Sequence, residues 1–170
     1  TTTKSSQTTN HEEVQDVSIA GQRLLEESLL NKGSAFTEEE RDEFGLQGLL
    51  PVHISTLEEQ LARAYEQYQQ KTTNLERNIY LTSLHDSNET LFFRLMQDHA
   101  SEMVPMIYTP VEAIAIERFS HVFRKPRGLF ISYPERDKLQ QIIANYPNPN
   151  VEAIVVTDAE QILGIGDQGV

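Results

Sequence analysis

Tyr108 is the residue of this sequence best placed to do chemistry, in the run Met103-Val104-Pro105-Met106-Ile107-Tyr108-Thr109-Pro110. A phenol ordinarily titrates near ~10, so it exchanges a proton with a substrate at neutral pH only where its surroundings lower that value. The local sequence offers one such influence. Thr109 has the chemistry of an N-cap and Pro110 suits a first helical position. Val111, Ile114, Ala115, Phe119, Val122 and Phe123 then recur at helical spacing on one face. Tyr108 is therefore expected immediately before a helix N-terminus, where free N–H groups and the helix dipole favour negative charge. A tyrosine at such a place also serves plain packing, and from spacing alone both readings stay open.

The other chemical signals are weaker. Gly164, Gly166 and Gly169 spell G-x-G-x-x-G after an apolar run. No helix follows, and no acidic residue stands ~20 positions on, so the dinucleotide fingerprint lacks its context and a tight turn is the plainer reading. His11, His53, His85, His99 and His121 show no metal-ligand spacing. Asp158, Glu160 and Asp167 could meet a divalent cation but equally read as solvated loop acids. Arg124-Lys125-Pro126-Arg127 is the basic cluster of an acidic chain. It could hold an anion, contact another subunit, or simply complement a helix C-terminus.

The elements that must position these residues follow from the pattern of the 170 residues. Residues 1–17 are polar, with almost nothing to bury, and read as a disordered tail. They have neither the apolar core of a secretory signal nor the acid-poor composition of a transit peptide. A short amphipathic segment spans 19–30. Thr37-Glu38-Glu39-Glu40 and Thr56-Leu57-Glu58-Glu59 are capping boxes, each opening a helix, and Gly45 can close the first. Leu57, Leu61, Ala64, Tyr65 and Tyr68 form one apolar stripe, with Glu59 spaced to pair with Arg63. A further helix is expected over 75–84. Ser87 or Asn88 should cap the next, which carries Leu91, Phe92, Leu95, Met96, His99 and Met103 until Pro105 ends it.

After Pro126 the period changes. Residues 128–133 read as a strand, 135–146 as a helix with Leu139, Ile142 and Ile143 inward, and 151–157 as a second strand. Strand, helix, strand implies a parallel pair with a right-handed crossover. The expected fold class is α/β: a helical subdomain over 18–126, then over 127–170 the βαβ start of a parallel sheet. Ligands of such sheets sit beyond the strand ends, here around 158–160. A lone parallel pair has open edges, so the sequence is expected to be the front part of a longer chain.

Composition narrows the function classes. With 38% hydrophobic residues and mean hydropathy -0.45, the chain fits a water-soluble domain. No apolar run approaches the ~18 residues of a membrane span. The absence of cysteine removes disulfides, thiolate metal sites and cysteine nucleophiles. Fourteen basic against 26 acidic residues give a net charge of -12, which repels nucleic-acid backbones. The acidic balance and the lack of a targeting signal point to the cytoplasm.

Taken in order, several motifs resemble the N-terminal region of malic enzymes. They are Leu30-Asn31-Lys32-Gly33-Ser34-Ala35-Phe36-Thr37, Gly48-Leu49-Leu50-Pro51, Asn88-Glu89-Thr90-Leu91-Phe92 and Ile107-Tyr108-Thr109-Pro110. The run from Arg124 to Ser132, then Val155-Val156-Thr157-Asp158 and Leu163-Gly164-Ile165-Gly166-Asp167-Gln168-Gly169, complete the series. The resemblance covers about residues 28–170. It implies oxidative decarboxylation of L-malate to pyruvate and carbon dioxide, with NAD or NADP and with Mg²⁺ or Mn²⁺. On the same footing, Tyr108 corresponds to the general acid that protonates enolpyruvate at carbon 3. The partner lysine, the metal ligands and the true dinucleotide-binding glycines belong, by resemblance, to sequence beyond Val170. The 164–169 turn is then not the cofactor fingerprint, and the chain by itself is expected to be inactive. NAD is favoured by resemblance to bacterial forms. The family's N-terminal helices build subunit contacts, so a homodimer or homotetramer is implied.

The sequence departs from the family pattern twice. Where the family carries Asp-Gly-Glu-Arg, this chain has Asp158-Ala159-Glu160-Gln161, so Gln161 replaces the arginine that binds the malate carboxylate. An amide donates a hydrogen bond but not a bidentate ion pair, so weaker malate binding is expected. Fumarate-activated members hold the activator with two arginines; Arg63 matches one, but Ser87 occupies the other. Activation by fumarate is therefore not expected. Two alternatives remain in view. A malolactic enzyme would make lactate, though Tyr108-Thr109-Pro110 differs from its Tyr-Asp-Pro. A non-catalytic helical module for protein interaction or anion binding is the other.

Overall fold

A computed structural model describes residues 17–146, 151, 153–156, 160–162 and 165–167. Its N-terminal elements are α1 (Gln22–Glu26), a 3-10 turn at Gly33–Ala35 and α2 (Glu38–Glu43). α3 (Leu57–Gln69), α4 (Asn74–Ser87), α5 (Glu89–Asp98) and α6 (Ala100–Ile107) follow as the central bundle. α7 (Val111–Glu117) and α8 (Phe119–Val122) lead to a 3-10 segment at Tyr133–Lys138 that runs into α9 (Leu139–Ala144). Of the expected tail at 1–17, all but Val17 lies outside the described residues.

The N-terminal lobe closes around Leu24, Phe36 and Leu46, all buried. α2 begins as expected: Thr37 Oγ1 accepts from the Glu40 N–H at 3.2 Å, and Glu40 returns the bond to the Thr37 N–H at 3.0 Å. Gly45, at φ 65, ends the turn that follows. The unexpected member of the lobe is Arg41, buried on the inner side of an otherwise acidic helix. Its Nε donates to the Phe36 carbonyl at 2.9 Å, Nη1 to Pro51 at 2.7 Å and Nη2 to Ser34 at 3.0 Å. Longer contacts of 3.4 Å reach the Val52 and His53 carbonyls. The fork of guanidinium donors thus gathers carbonyls of 34–36 and 51–53 onto one side chain, the Ser34 carbonyl accepting also from Ser55 N–H at 3.0 Å.

The central bundle is held by Leu61, Ala64, Tyr68, Leu81, Leu91, Phe92, Leu95, Met96 and Met103. Each large side chain in it gains about 1.5–3 kcal/mol on burial. α3 opens with the expected Thr56–Glu59 box, and α4 with a third, Thr73–Glu76, which the sequence reading did not single out. Asn88 caps α5 by accepting from the Leu91 N–H at 2.9 Å. Arg63 and Glu59 do not form the expected ion pair; Arg63 Nη2 donates to Ser55 Oγ at 2.8 Å, while Glu59 lies 3.5 Å from His53 Nε2.

Two helices break where one was expected. The helix from Asn88 stops at His99 (φ -128, ψ 33), and α6 restarts at Ala100. The His99 ring stacks on Tyr65 at 3.8 Å instead of continuing the apolar face. Pro105 then lies inside α6 rather than ending the preceding helix. It is the sixth of that helix's eight residues, so it costs α6 the N–H that would have reached the Ser101 carbonyl. The second break is at Arg118 (φ -108, ψ 20), between α7 and α8.

The α/β class is overturned. Among the described residues there is no β-strand, and the architecture is helical throughout, so the expected βαβ unit is not formed. Residues 129–132 run without ladder partners into the 3-10 segment, whose start Pro134 favours by fixing its own φ. The second expected strand, 151–157, is described at 151 and 153–156, where Ile154, Val155 and Val156 are 81, 90 and 89% exposed. β-propensity expresses a fit to neighbouring strands, and without neighbours it dictates nothing. The helix expected over 135–146 is shortened to α9, with Leu139 and Ile143 exposed rather than inward. In the glycine motif, Ile162 and Gly166 pair across a tight turn, with Gly166 at φ 75; Gly164 and Gly169 lie outside the described residues, as does Asp158.

Candidate functional site: the elbow at Tyr108

Tyr108 ends one helix and starts the next. Its N–H donates to the Val104 carbonyl at 3.0 Å, closing α6, and its own carbonyl accepts from Glu112 N–H at 2.9 Å, opening α7. Its backbone is extended (φ -131, ψ -163). On either side the chain is nailed down by a buried side chain, Met103 in α6 and Val111 at the start of α7. The ring between them is 53% exposed. No described residue hydrogen-bonds the phenol oxygen, so a rigid backbone presents an accessible O–H.

The expected position before a helix is therefore correct, but the cap is not the one expected. Pro110, not Thr109, is the residue preceding α7, after a cis Thr109–Pro110 peptide, and no side chain caps the helix. Tyr108's carbonyl makes the closing bond that sequence reasoning gave to the Thr109 hydroxyl. Below the elbow, buried Asn78 of α4 donates its Nδ2 to the Met106 carbonyl at 2.7 Å. The sequence reading missed that residue, because it stands 28 positions away from its partner.

The basic cluster at 124–127 is largely spent on structure. Arg127 Nη1 meets Asp86 Oδ1 at 2.9 Å, and Nη2 meets Glu89 Oε1 at 2.9 Å and His85 Nε2 at 3.1 Å. Ser28 Oγ donates to the same Glu89 oxygen at 2.9 Å. Arg124 turns back onto the His121 and Phe123 carbonyls, and Lys125 reaches the Asp86 carbonyl at 3.5 Å. A guanidinium only donates, so His85 must offer Nε2 as an acceptor and is held neutral. Burial, then the Arg127 charge, hold its pKa below the usual histidine value. Burial pushes the Glu89 carboxyl up, but hydrogen bonds from Ser28 and Arg127 outweigh it and leave its pKa lowered. The cluster ties the N-terminal lobe, the α4–α5 corner and the chain after α8 together, beside a cavity lined by Ser28, Lys125 and Arg127.

The remaining candidates are dispersed. Gln161 is exposed, and no described hydrogen bond joins it to Tyr108. Arg63 is held by Ser55, and Ser87 Oγ turns onto the Leu84 carbonyl of its own helix. Among the described residues no group of three or more His, Asp or Glu could hold a metal ion. No helix among them is long and apolar enough to cross a membrane.

Comparison with known proteins adds what this geometry leaves open. The family model described as malic enzyme, N-terminal domain, matches residues 85–170, half of the chain. The chain is 55% identical over 152 residues to the NAD-dependent malic enzyme of Shewanella woodyi, covering 89% of this chain and 27% of that protein. It is 54% identical over 154 residues to the NAD-dependent malic enzyme of Pseudomonas savastanoi pv. phaseolicola, covering 91% and 27%. The protein of the same name from Vibrio parahaemolyticus is 53% identical over 154 residues, again covering 91% and 27%. The chain thus spans about a quarter of the length of these curated relatives, 27% in each case.

Proposed function

The chain belongs to the malic enzyme N-terminal domain family, and on that premise we propose that it is the amino-terminal part of an NAD-dependent malic enzyme. The enzyme converts L-malate to pyruvate and carbon dioxide, acts in the cytoplasm and assembles as a homodimer or homotetramer. Residues 18–126 form its helical N-terminal region and 127–170 begin its malate-binding part. The observation that carries this reading is identity above one half, across most of the chain, to proteins named NAD-dependent malic enzyme.

Nicotinamide and divalent-metal chemistry would supply hydride removal and decarboxylation. No described cluster of this chain could hold the metal, so neither step is assigned to its residues. The step assigned here is the last. Enolpyruvate is nucleophilic at carbon 3, because the enol oxygen feeds electron density into the double bond. The Tyr108 O–H gives its proton to that carbon, the enol O–H proton passes to the base that the family resemblance supplies as a lysine beyond Val170, and the ketone of pyruvate results. The phenolate so formed stands three residues before α7, on a backbone fixed at both neighbours. General acids of this kind are worth about 10²–10⁴ in rate. In the full-length enzyme, Tyr108→Phe should therefore lower kcat for pyruvate formation by about that factor, with KM for malate nearly unchanged. A variant retaining wild-type kcat would overturn the assignment.

Gln161 takes the place of the family's carboxylate-binding arginine and leaves the malate carboxylate with a weaker hold. Gln161→Arg restores the bidentate donor, so KM for malate should fall by about tenfold. Steady-state kinetics at varied malate reads this directly, and an unchanged KM would remove Gln161 from the site.

A further inference from the structure

We infer that Asn78 is a positioning residue for Tyr108, an inference that rests on the proposed proton transfer. The end of a helix leaves its last carbonyls without N–H partners. In α6 the Val104 carbonyl is taken by Tyr108 N–H. Were the helix to continue, the Met106 carbonyl would be met by the N–H four residues on. That residue is Pro110, which has none. The sequence of the elbow therefore creates a carbonyl that its own backbone has no means of satisfying in helical fashion.

Asn78, a residue only 8% exposed, supplies the missing donor at 2.7 Å. It is well placed to do so, because α4 packs against both α6 and α7, the two helices that flank Tyr108. The amide thus fixes the peptide group two residues before the phenol to the most central helix of the bundle. Backbone bonds fix the tyrosine's own N–H and carbonyl. With all three in place the Cα–Cβ bond that carries the ring is held in one direction. Without the amide, the Met106 carbonyl has no donor but water, and the last turn of α6, which carries Tyr108, is held by its backbone bonds alone.

The test uses the full-length enzyme carrying Asn78→Leu, similar in size and without a donor. Displacing a catalytic group by about 1 Å can cost up to about 10²-fold in rate, so kcat should fall by about ten- to a hundred-fold, with KM for malate within about twofold. A displaced acid makes proton delivery slower than the other steps, so the solvent deuterium isotope effect on kcat should rise above that of the wild type. Loss of folded protein alone lowers apparent kcat and leaves the isotope effect where it was. Asn78→Ser, which leaves room for a bridging water, serves where the leucine variant does not fold, and should show the same changes in smaller measure. An unchanged isotope effect in the folded variant, whatever its kcat, overturns the inference. Tyr108→Phe, measured alongside, separates the two readings. Full activity in that variant removes the proton transfer and the positioning role together. A large loss there, with Asn78→Leu behaving as wild type, removes the positioning role alone.

Discussion

Helices α2–α5 and helices α7–α9 differ in how their ends are made. α2, α3 and α4 each open on a threonine and close the box with a glutamate three positions inside the helix, and Asn88 caps α5. α7, α8 and α9 have no side-chain cap at all. The apolar residues differ in the same way. Those of α3–α6 meet in one core, whereas Phe119, Phe123 and Phe130 meet chiefly one another, at centroid distances of 5.4–6.4 Å, and stay substantially exposed. A capped amphipathic helix carries most of its instructions within a few residues. A strand-forming segment depends on partners elsewhere, and here the described ones have none.

Substitutions should break the first region and spare the second. The largest effect is expected at Arg41, whose removal leaves the buried Phe36 carbonyl and the half-buried Pro51 and Ser34 contacts without their shared donor. Arg41→Met should lower unfolding free energy by about 3 kcal/mol, while Phe130→Ser, at an exposed ring, should change it by less than about 0.5 kcal/mol. Denaturant midpoints of the two variants make the comparison, and equal losses would refute it.

Acid provides the next test, because it acts on the clip that joins the two regions. His85 has a lowered pKa in the folded state, so between that value and the ordinary 6.5 the unfolded chain binds the extra proton. Its contribution is complete above 6.5 and is lost as the pH falls through the folded value. Glu89, also lowered, adds a second loss that begins as the pH drops below 4.5. Denaturant midpoints measured downward from pH 7.5 should show the first decline, and His85→Gln should flatten it. Stability that rose on acidification over this range would contradict the Arg127–His85 geometry.

The smallest effect concerns caps alone. Thr73→Ala removes a formed capping box and should cost about 1 kcal/mol. Thr109→Ala removes a hydroxyl that caps nothing and should be silent in a thermal melt. A comparable loss in both would restore Thr109 as the cap of α7.

These pairs also show how far the residues could be read unaided. The boxes at Thr37 and Thr56 were legible because donor and acceptor lie within one turn. Thr73–Glu76 had the same signature, and Tyr108 was correctly placed before a helix because Pro110 announces one. Other features had no local signal. Arg41 looks like one charge among five acids until the loop carbonyls fold over it, and Asn78 matters only because Pro110 lacks an N–H. The strands at 128–133 and 151–157 were read from propensity, which says what a segment would suit and not whether a neighbour is there. The roles of Tyr108 and Gln161 came from family resemblance, since neither has a described partner that betrays its chemistry.

The Arg127 clip has a consequence for motion. By joining Asp86 to a residue 41 positions later, it turns everything between them, the elbow included, into a closed loop. Closing a loop of this length costs on the order of 3 kcal/mol of chain entropy, which the clip must offset each time it re-forms. Opening it ends that closure and leaves α5–α7 held by their packing on α4 and on one another. Amide hydrogen exchange at the elbow should then follow the opening of a guanidinium far from it in sequence, with the whole loop exchanging as a single cooperative unit.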